Sequence, residues 1–174
     1  MLSSANNIAA DKLVGMIQLL AIASGSKGMA GGQAIDLAAV GQQLNLSSLQ
    51  QMHELKTGAL ISASVNFSAI LADESTIDID NYKNKLSNYA KCIGLAFQIQ
   101  DDVLDIESDT ETLGKPQGSD QASNKPTYPS LIGLQESKDL AKKVVAEALD
   151  NISEFDQHAD PLRWLAEYIV QRKH

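Results

Sequence analysis

The chain has 174 residues, of which 44% are apolar and 5% aromatic, and its twenty-two acidic and fourteen basic side chains give a formal net charge of -8. That length suits one domain with a continuous apolar core. The low aromatic content disfavours a sandwich of aromatic-rich strands, and the acidic balance excludes a nucleic-acid footprint spread over the surface. A single cysteine, Cys92, leaves no intrachain disulfide. Residues 1–7 lack the order of a basic segment leading into an apolar run, and the apolar stretch 13–23 is interrupted by Gly15 and Gln18 and is too short to span a bilayer. A cytoplasmic protein without a membrane anchor is the expectation.

In chain order, Asn6 or Asn7 can cap a first helix running to about Ser24, with Ile8, Leu13, Ile17, Leu20 and Ala21 on a wide apolar face. Residues 25–32 (Gly-Ser-Lys-Gly-Met-Ala-Gly-Gly) suit either a flexible turn or a helix start packed very close to its neighbours. Gln33 and Asp36 follow at a spacing that shares a helix face. Ser47-Ser48-Leu49-Gln50 reads as a capping box that opens a helix through Met52, Leu55, Ala59, Leu60, Ala63 and Phe67, with Lys56-Thr57-Gly58 in its middle. Asp80 can cap the next long helix, which packs through Tyr82, Leu86, Tyr89, Ile93, Ala96, Phe97, Val103 and Leu104 to about Glu107.

Residues 107–129 are polar with few apolar anchors, the composition of a functional or unstructured loop. Ser137 can start a further helix through Leu140, Val144, Val145, Ala148 and Ile152. Asp160-Pro161 opens the last helix, and Arg172-Lys173-His174 complement its negative pole. No segment alternates as a strand, so the fold class is all-α, and residues 1–174 form one unit.

The chemistry concentrates in residues 97–105, Phe-Gln-Ile-Gln-Asp-Asp-Val-Leu-Asp. Asp101 and Asp105 stand four residues apart and share a helix face with Gln98, an arrangement that weakens the helix unless a cation offsets the repulsion. Mg²⁺ is such a cation, since it takes one or two carboxylates and completes its shell with water and phosphate oxygens. A solvated acidic face is the competing reading, although the apolar neighbours Phe97, Ile99, Val103 and Leu104 place these acids beside a core. Lys115 and Lys125 lie downstream beside Gly114, Gly118 and Asp120, where glycines allow close approach to a phosphate and lysines supply charge. Lys56, in a largely apolar segment, either snorkels outward or neutralises a bound anion.

Taken in order, Gly31-Gly32-Gln33-x-x-Asp36, Lys56-Thr57-Gly58, Phe97-Gln98-x-x-Asp101-Asp102-x-x-Asp105, Gly114-Lys115, Gly118-x-Asp120 and Lys125-x-Thr127-Tyr128-Pro129 closely resemble the trans-isoprenyl diphosphate synthase (polyprenyl synthetase) family, nearest to its bacterial farnesyl diphosphate synthases. The similarity extends from about Leu13 to Lys173. The resemblance implies an isoprenoid-synthase-type bundle of long helices around a central cavity, with two aspartate-rich motifs facing each other across its mouth. It also implies a Mg²⁺-dependent prenyltransferase that condenses an allylic diphosphate with isopentenyl diphosphate in isoprenoid biosynthesis. Asp101, Asp102 and Asp105 match the second motif and so the Mg²⁺ ligands, the first aspartate being the firmest. Lys56, Lys115 and Lys125 match the lysines that hold the allylic diphosphate, and Thr57, Gln98 and the Lys56 carbonyl match the dipoles facing the developing cation.

The sequence departs from the family in lacking a first aspartate-rich motif, the arginine pair after it, and any Asp-Asp-x-x-Asp before Phe97. In the family those elements bind the other metal ions and isopentenyl diphosphate and set product length. The expectation is therefore the carboxy-terminal portion of a single domain, inactive alone, either as a truncated or split product or as a fragment of a longer protein. Its partner would be the missing amino-terminal half, or a second copy as in the family's homodimers. A non-catalytic regulatory or binding homologue that retains affinity for Mg²⁺-diphosphate is the alternative.

Overall fold

The computed structural model describes residues 7–42, 44–72, 78–107 and 125–172. Among these there is no strand, and the helices are α1 (Ala10–Ser24), α2 (Met29–Ala38), α3 (Leu46–His53), α4 (Ala59–Leu71), α5 (Ile79–Glu107), α6 (Tyr128–Ile132), α7 (Leu134–Asn151) and α8 (Asp160–Gln171). The all-α expectation is met. Two short turns complete the set: a π-helical turn, Glu54–Gly58, between α3 and α4, and a 3₁₀ turn, Gln157–Ala159, before α8.

Helix α5 is the axis of the bundle. Its 29 residues bury Tyr89, Ile93, Ala96 and Ile99 in one core with Leu49 and Met52 of α3, Val144, Val145 and Ala148 of α7, Ile152 just after it, and Ala166 and Ile169 of α8. Such apolar burial is the main favourable term in the fold. The Tyr89 hydroxyl donates to the Leu162 carbonyl at 2.7 Å, tying α5 to α8. Arg163 donates to the carbonyls of Ile152 (2.9 Å) and Phe155 (2.5 Å), so carbonyls in the α7–α8 connection are satisfied by a side chain. At the start of α5, Tyr82 stacks on Phe155 with ring centroids 5.1 Å apart.

Local capping differs from the sequence expectations by a few residues. Helix α1 begins at Ala10 behind Ala9, without a side-chain cap, and Asn6 lies outside the described residues. Asn45, two residues before Ser47, caps α3 by accepting from the Ser48 N–H at 2.9 Å. Asp78 plays that part for α5, accepting from the Asn81 N–H at 3.3 Å, so Asp80 falls in the first turn. Helix α7 starts at Leu134, ahead of Ser137, whose hydroxyl donates to the Gly133 carbonyl at 2.7 Å. Asp160 is the first residue of α8, and its carboxylate pairs with Arg163 at 2.7 Å. At α3 and α5 several polar residues stand near one helix end and tertiary position selects among them, whereas α1 and α7 start without a side-chain cap.

Residues 10–38 taken together are long and apolar enough, by length and composition, to cross a membrane. The chain bends between Ser24 and Met29, however, and the 15 residues of α1 rise about 22 Å, short of a hydrocarbon layer of about 30 Å. Helix α1 packs on α4 and leaves Val14, Ile17, Leu20 and Ile22 exposed.

Two helix contacts are made through glycine backbones, the first too close for any side chain and the second tight. A Cβ on Gly32 of α2 would sit 2.2 Å from the Lys56 nitrogen and 2.6 Å from its Cα, and one on Gly94 of α5 would sit 3.0 Å from the Gly58 Cα. The π turn is thus held from two sides by glycines. Gly15, by contrast, has only an ordinary neighbour, Ile70 Cγ2 at 3.9 Å. Gly32→Ala is expected to destabilise the chain by about 1–3 kcal/mol through overpacking. Gly15→Ala should be neutral or stabilising by about 0.5–1 kcal/mol, since alanine is the better helix former. Thermal unfolding followed by circular dichroism checks both, and equal midpoints for the two variants would refute the close contact.

Candidate active site

The π turn carries Lys56, Thr57 and Gly58, where the sequence suggested continuous α-helix. Hydrogen bonds from i to i+5, one residue further than in the α-helix, widen the coil, and such turns are frequent at functional sites. The widened coil brings Thr57 opposite α5: its hydroxyl donates to Gln98 Oε1 at 2.8 Å. His53, the last residue of α3, brings its Nδ1 within 2.9 Å of the same oxygen. Gln98 and His53 are each 8% exposed, so this cluster lies at the edge of the core.

Lys56 points toward α2. Its ammonium donates to Asp36 Oδ2 at 2.7 Å, with 31% and 13% of the two side chains exposed. The pair pins the turn to α2 and holds a cation beside the Thr57–Gln98 contact. Sequence spacing put Asp36 on a helix face with Gln33 but gave no partner for it, since the partner lies on another element.

The three aspartates of the Asp-Asp-x-x-Asp motif occupy different environments. Asp101 is the most accessible, with 45% of its side chain exposed, and Arg172 Nη2 reaches its Oδ1 at 3.5 Å. The same guanidinium lies 4.4 Å over the Phe97 ring and donates to the Phe97 carbonyl at 3.3 Å. Arg172 therefore packs against α5, as well as following the end of α8 where the sequence placed it. Asp102, 6% exposed, accepts from the Tyr128 N–H at 2.9 Å and so anchors the start of α6. Thr127 caps that short helix with a reciprocal Ser130 bond. Asp105, 2% exposed, lines with Asp102, Lys125, Pro126 and Thr127 a cavity of about 590 Å³.

Lys115, Gly114, Gly118 and Asp120 lie outside the described residues. A larger cavity of about 750 Å³, lined by Tyr82, Lys85, Phe155 and Leu162, sits at the opposite end of α5 and holds none of the motif residues.

Burial lowers the His53 pKa below its ordinary 6.5; the Gln98 bond opposes this and the nearby Lys56 charge reinforces it. The imidazole is therefore neutral near pH 7. Burial raises the Tyr128 hydroxyl, with the Asp102 carboxylate adding to the effect, so it stays protonated. His53 and Tyr128 stack, ring centroids 5.8 Å apart. Neither residue was singled out for chemistry by the sequence, because a histidine three positions before Lys56 becomes meaningful only when α5 is placed against it.

Among the described residues no three His, Cys, Asp or Glu side chains converge tightly enough to cage a metal ion. An all-oxygen set with one accessible carboxylate instead suits Mg²⁺, which keeps most of its shell for water and phosphate.

The polyprenyl synthetase family model matches residues 2–166 of this chain. Farnesyl diphosphate synthase of Escherichia coli is 44% identical over 162 residues, covering 91% of this chain and 53% of that protein. Geranylgeranyl diphosphate synthase of Cyanophora paradoxa is 44% identical over 95% of the chain and 54% of its own length. Among solved structures, a putative farnesyl-diphosphate synthase from Marinomonas sp. MED121 superposes with a TM-score of 0.78 at 37% identity, covering 97% of this chain and 56% of that one. The geranyltransferase of Helicobacter pylori, complexed with magnesium and isoprenyl diphosphate, gives a TM-score of 0.78 at 30% identity over 98% of this chain and 54% of that one. The chain spans about half the length of the curated relatives it matches.

Because the folded imidazole of His53 resists a proton that the unfolded chain accepts below 6.5, its contribution to stability is complete above that value and is lost as pH falls from there through the lower folded pKa. Between about pH 7 and pH 5, the thermal midpoint of the wild type should fall more steeply than that of His53→Asn. Parallel curves in the two proteins would remove His53 as a source of acid sensitivity.

Proposed function

Because the chain belongs to the polyprenyl synthetase family, we propose that it supplies the second aspartate-rich half of a trans-prenyltransferase site of the farnesyl or geranylgeranyl diphosphate synthase type, the carboxy-terminal portion of one domain. The substrates of that site are an allylic diphosphate and isopentenyl diphosphate. The carrying observation is the Thr57 hydroxyl bonded to Gln98 across the π turn, with the Lys56 and Asp101 charges beside it.

Cleavage of an allylic carbon–oxygen bond leaves a carbocation and a highly charged diphosphate, and a site for it must hold the two apart in polarity. Thr57, Gln98 and the Lys56 carbonyl offer neutral dipoles to the cation, which a charged base there would quench. Lys56, Lys115 and Lys125 hold the diphosphate; swinging to it would take Lys56 from Asp36, which exchanges one anionic partner for a stronger one. Asp101 would hold Mg²⁺ from its accessible position, with Asp102 and Asp105 completing the acidic motif behind it, and the bound ion neutralises charge on the leaving group. The homoallylic double bond of isopentenyl diphosphate attacks the cation, and the released diphosphate removes the proton. Apolar walls from α5 keep out water that would otherwise capture the cation.

The other half of the site comes from a segment carrying the first aspartate-rich motif, which this sequence does not contain. That segment, or a second copy of the chain, covers the exposed apolar residues Val14, Ile17, Leu20 and Ile22 of α1, a face too apolar to be left to solvent. A cytoplasmic setting suits Cys92, whose thiol burial pushes its pKa up to about 11 and leaves it unreactive.

By calorimetry, the chain should bind inorganic diphosphate in Mg²⁺, and Asp101→Ala should weaken that binding by about tenfold or more, the loss of one charged ligand. Equal heats in Mg²⁺ and in excess chelator would reject the metal assignment.

Turnover by the chain alone is expected near background, because groups acting as a unit lose most of their effect when a member is missing. Mixing it with an amino-terminal segment bearing the first motif should restore condensation and protect α1 amides from hydrogen exchange. Condensation at ordinary enzymatic rates by the 174-residue chain alone would overturn the half-site reading. Diphosphate binding without restored turnover would point to the regulatory homologue.

A further inference from the structure

We propose that His53 is a positioning residue for the cation-facing dipoles: its Nδ1–H and the Thr57 hydroxyl both donate to Gln98 Oε1, fixing the amide and turning the Thr57 lone pairs toward the substrate side. The proposal rests on the prenyltransferase reading given above for what those dipoles face.

An amide oxygen has two lone pairs, and the distances of 2.9 Å to His53 Nδ1 and 2.8 Å to Thr57 Oγ1 commit both. A hydroxyl that spends its proton on Gln98 presents only oxygen lone pairs elsewhere, the polarity a carbocation requires. With the amide free to turn, Gln98 could instead offer its NH₂ to Thr57, whose proton would then be released toward the substrate. That orientation would repel a cation. His53 removes the choice, because a second donor at the same oxygen makes the flipped amide pair N–H against N–H.

The imidazole is constrained by both its place and its charge. It closes α3 immediately before the π turn, is 8% exposed, and stacks on Tyr128, whose own N–H is bound to Asp102. Among the described residues its Nε2 is buried without a hydrogen-bond partner. A bare Nδ1 would set its lone pair against the Gln98 oxygen, and a charged ring would bury a cationic N–H at Nε2 without an acceptor, so the neutral ring protonated at Nδ1 is favoured. Burial and the Lys56 ammonium act in the same direction. The result is a donor without a charge, where a lysine or a protonated histidine would oppose the developing cation.

The test is nitrogen-15 long-range correlation spectroscopy of the histidine-labelled chain near neutral pH, with signals assigned by substitution, together with the side-chain amide signal of Gln98. The expected result is a neutral His53 with a protonated Nδ1 and a bare Nε2. In His53→Asn, whose amide nitrogen can stand where Nδ1 stood, the Gln98 amide should keep its dispersed shift. In His53→Leu it should move toward the shift of a free glutamine and exchange its protons about tenfold faster, as one lost buried hydrogen bond allows. A protonated Nε2 with a bare Nδ1 in the wild type overturns the proposal, as does an unchanged Gln98 signal in folded His53→Leu. The tautomer is read in the wild type, so it decides the matter even if His53→Leu does not fold. Since no substrate is present, this outcome is independent of whether turnover is restored in the reconstitution.

Discussion

Gly32 leaves no room for a methyl group against the Lys56 backbone, Gly94 meets the Gly58 Cα so closely that a Cβ would stand 3.0 Å away, and the site depends on these two contacts around residues 54–58. A regular α-helix through Lys56 and Thr57 would hold every backbone group in its own ladder and send successive side chains around a uniform spiral. The π turn shifts that spiral by one residue, so that Lys56 faces Asp36 on α2 while Thr57 faces Gln98 on α5. Close backbone approach on both sides allows short polar side chains to bridge three elements without an intervening layer of apolar packing. The arrangement is stiff because the glycine contacts are between main chains, which cannot move aside as a flexible side chain can.

Around this turn neutral and charged groups keep to separate places. His53 and Gln98 are buried and Thr57 is half-buried, and the three meet as uncharged hydrogen-bonding groups. Lys56 and Asp101 stand nearer solvent and each has an opposite partner, Asp36 for one and Arg172 for the other. Asp102 and Asp105 are buried carboxylates at the next turns of α5, and the first of them is used to start α6 through the Tyr128 N–H. Neutral dipoles in one place and charged groups in another are what the proposed ionisation of an allylic diphosphate asks of a protein: weakly polar surroundings for the carbon, strongly charged ones for the leaving group.

The net charge of -8 would by itself repel a diphosphate, so any affinity must come from local cations and bound metal and not from the overall field. The apolar face of α1 makes a similar point about surfaces. Its exposed Val14, Ile17, Leu20 and Ile22 sit opposite the side that packs on α4, and a helix hydrophobic on both sides belongs between two layers. The chain spans about half the length of its relatives.

The sequence by itself determined the helical class, the long axis from about Ile79 to Glu107, and the ordered motifs that place the chain in its family, because these are local properties: apolar spacing at the helical period, and a string of residues in fixed order. It also carried the candidates Lys56, Thr57, Gln98 and Asp101, and it left open whether residues 25–32 were a loose turn or a tight contact. Only tertiary structure decided that Gly32 meets the Lys56 backbone, that the middle of a predicted helix is a π turn, that Asp36 is the partner of Lys56, and that the three aspartates fall into unlike environments. His53 was invisible for the same reason. A buried imidazole acquires its tautomer and its task from what lies across the interface, and α3 and α5 meet there through residues forty-five positions apart.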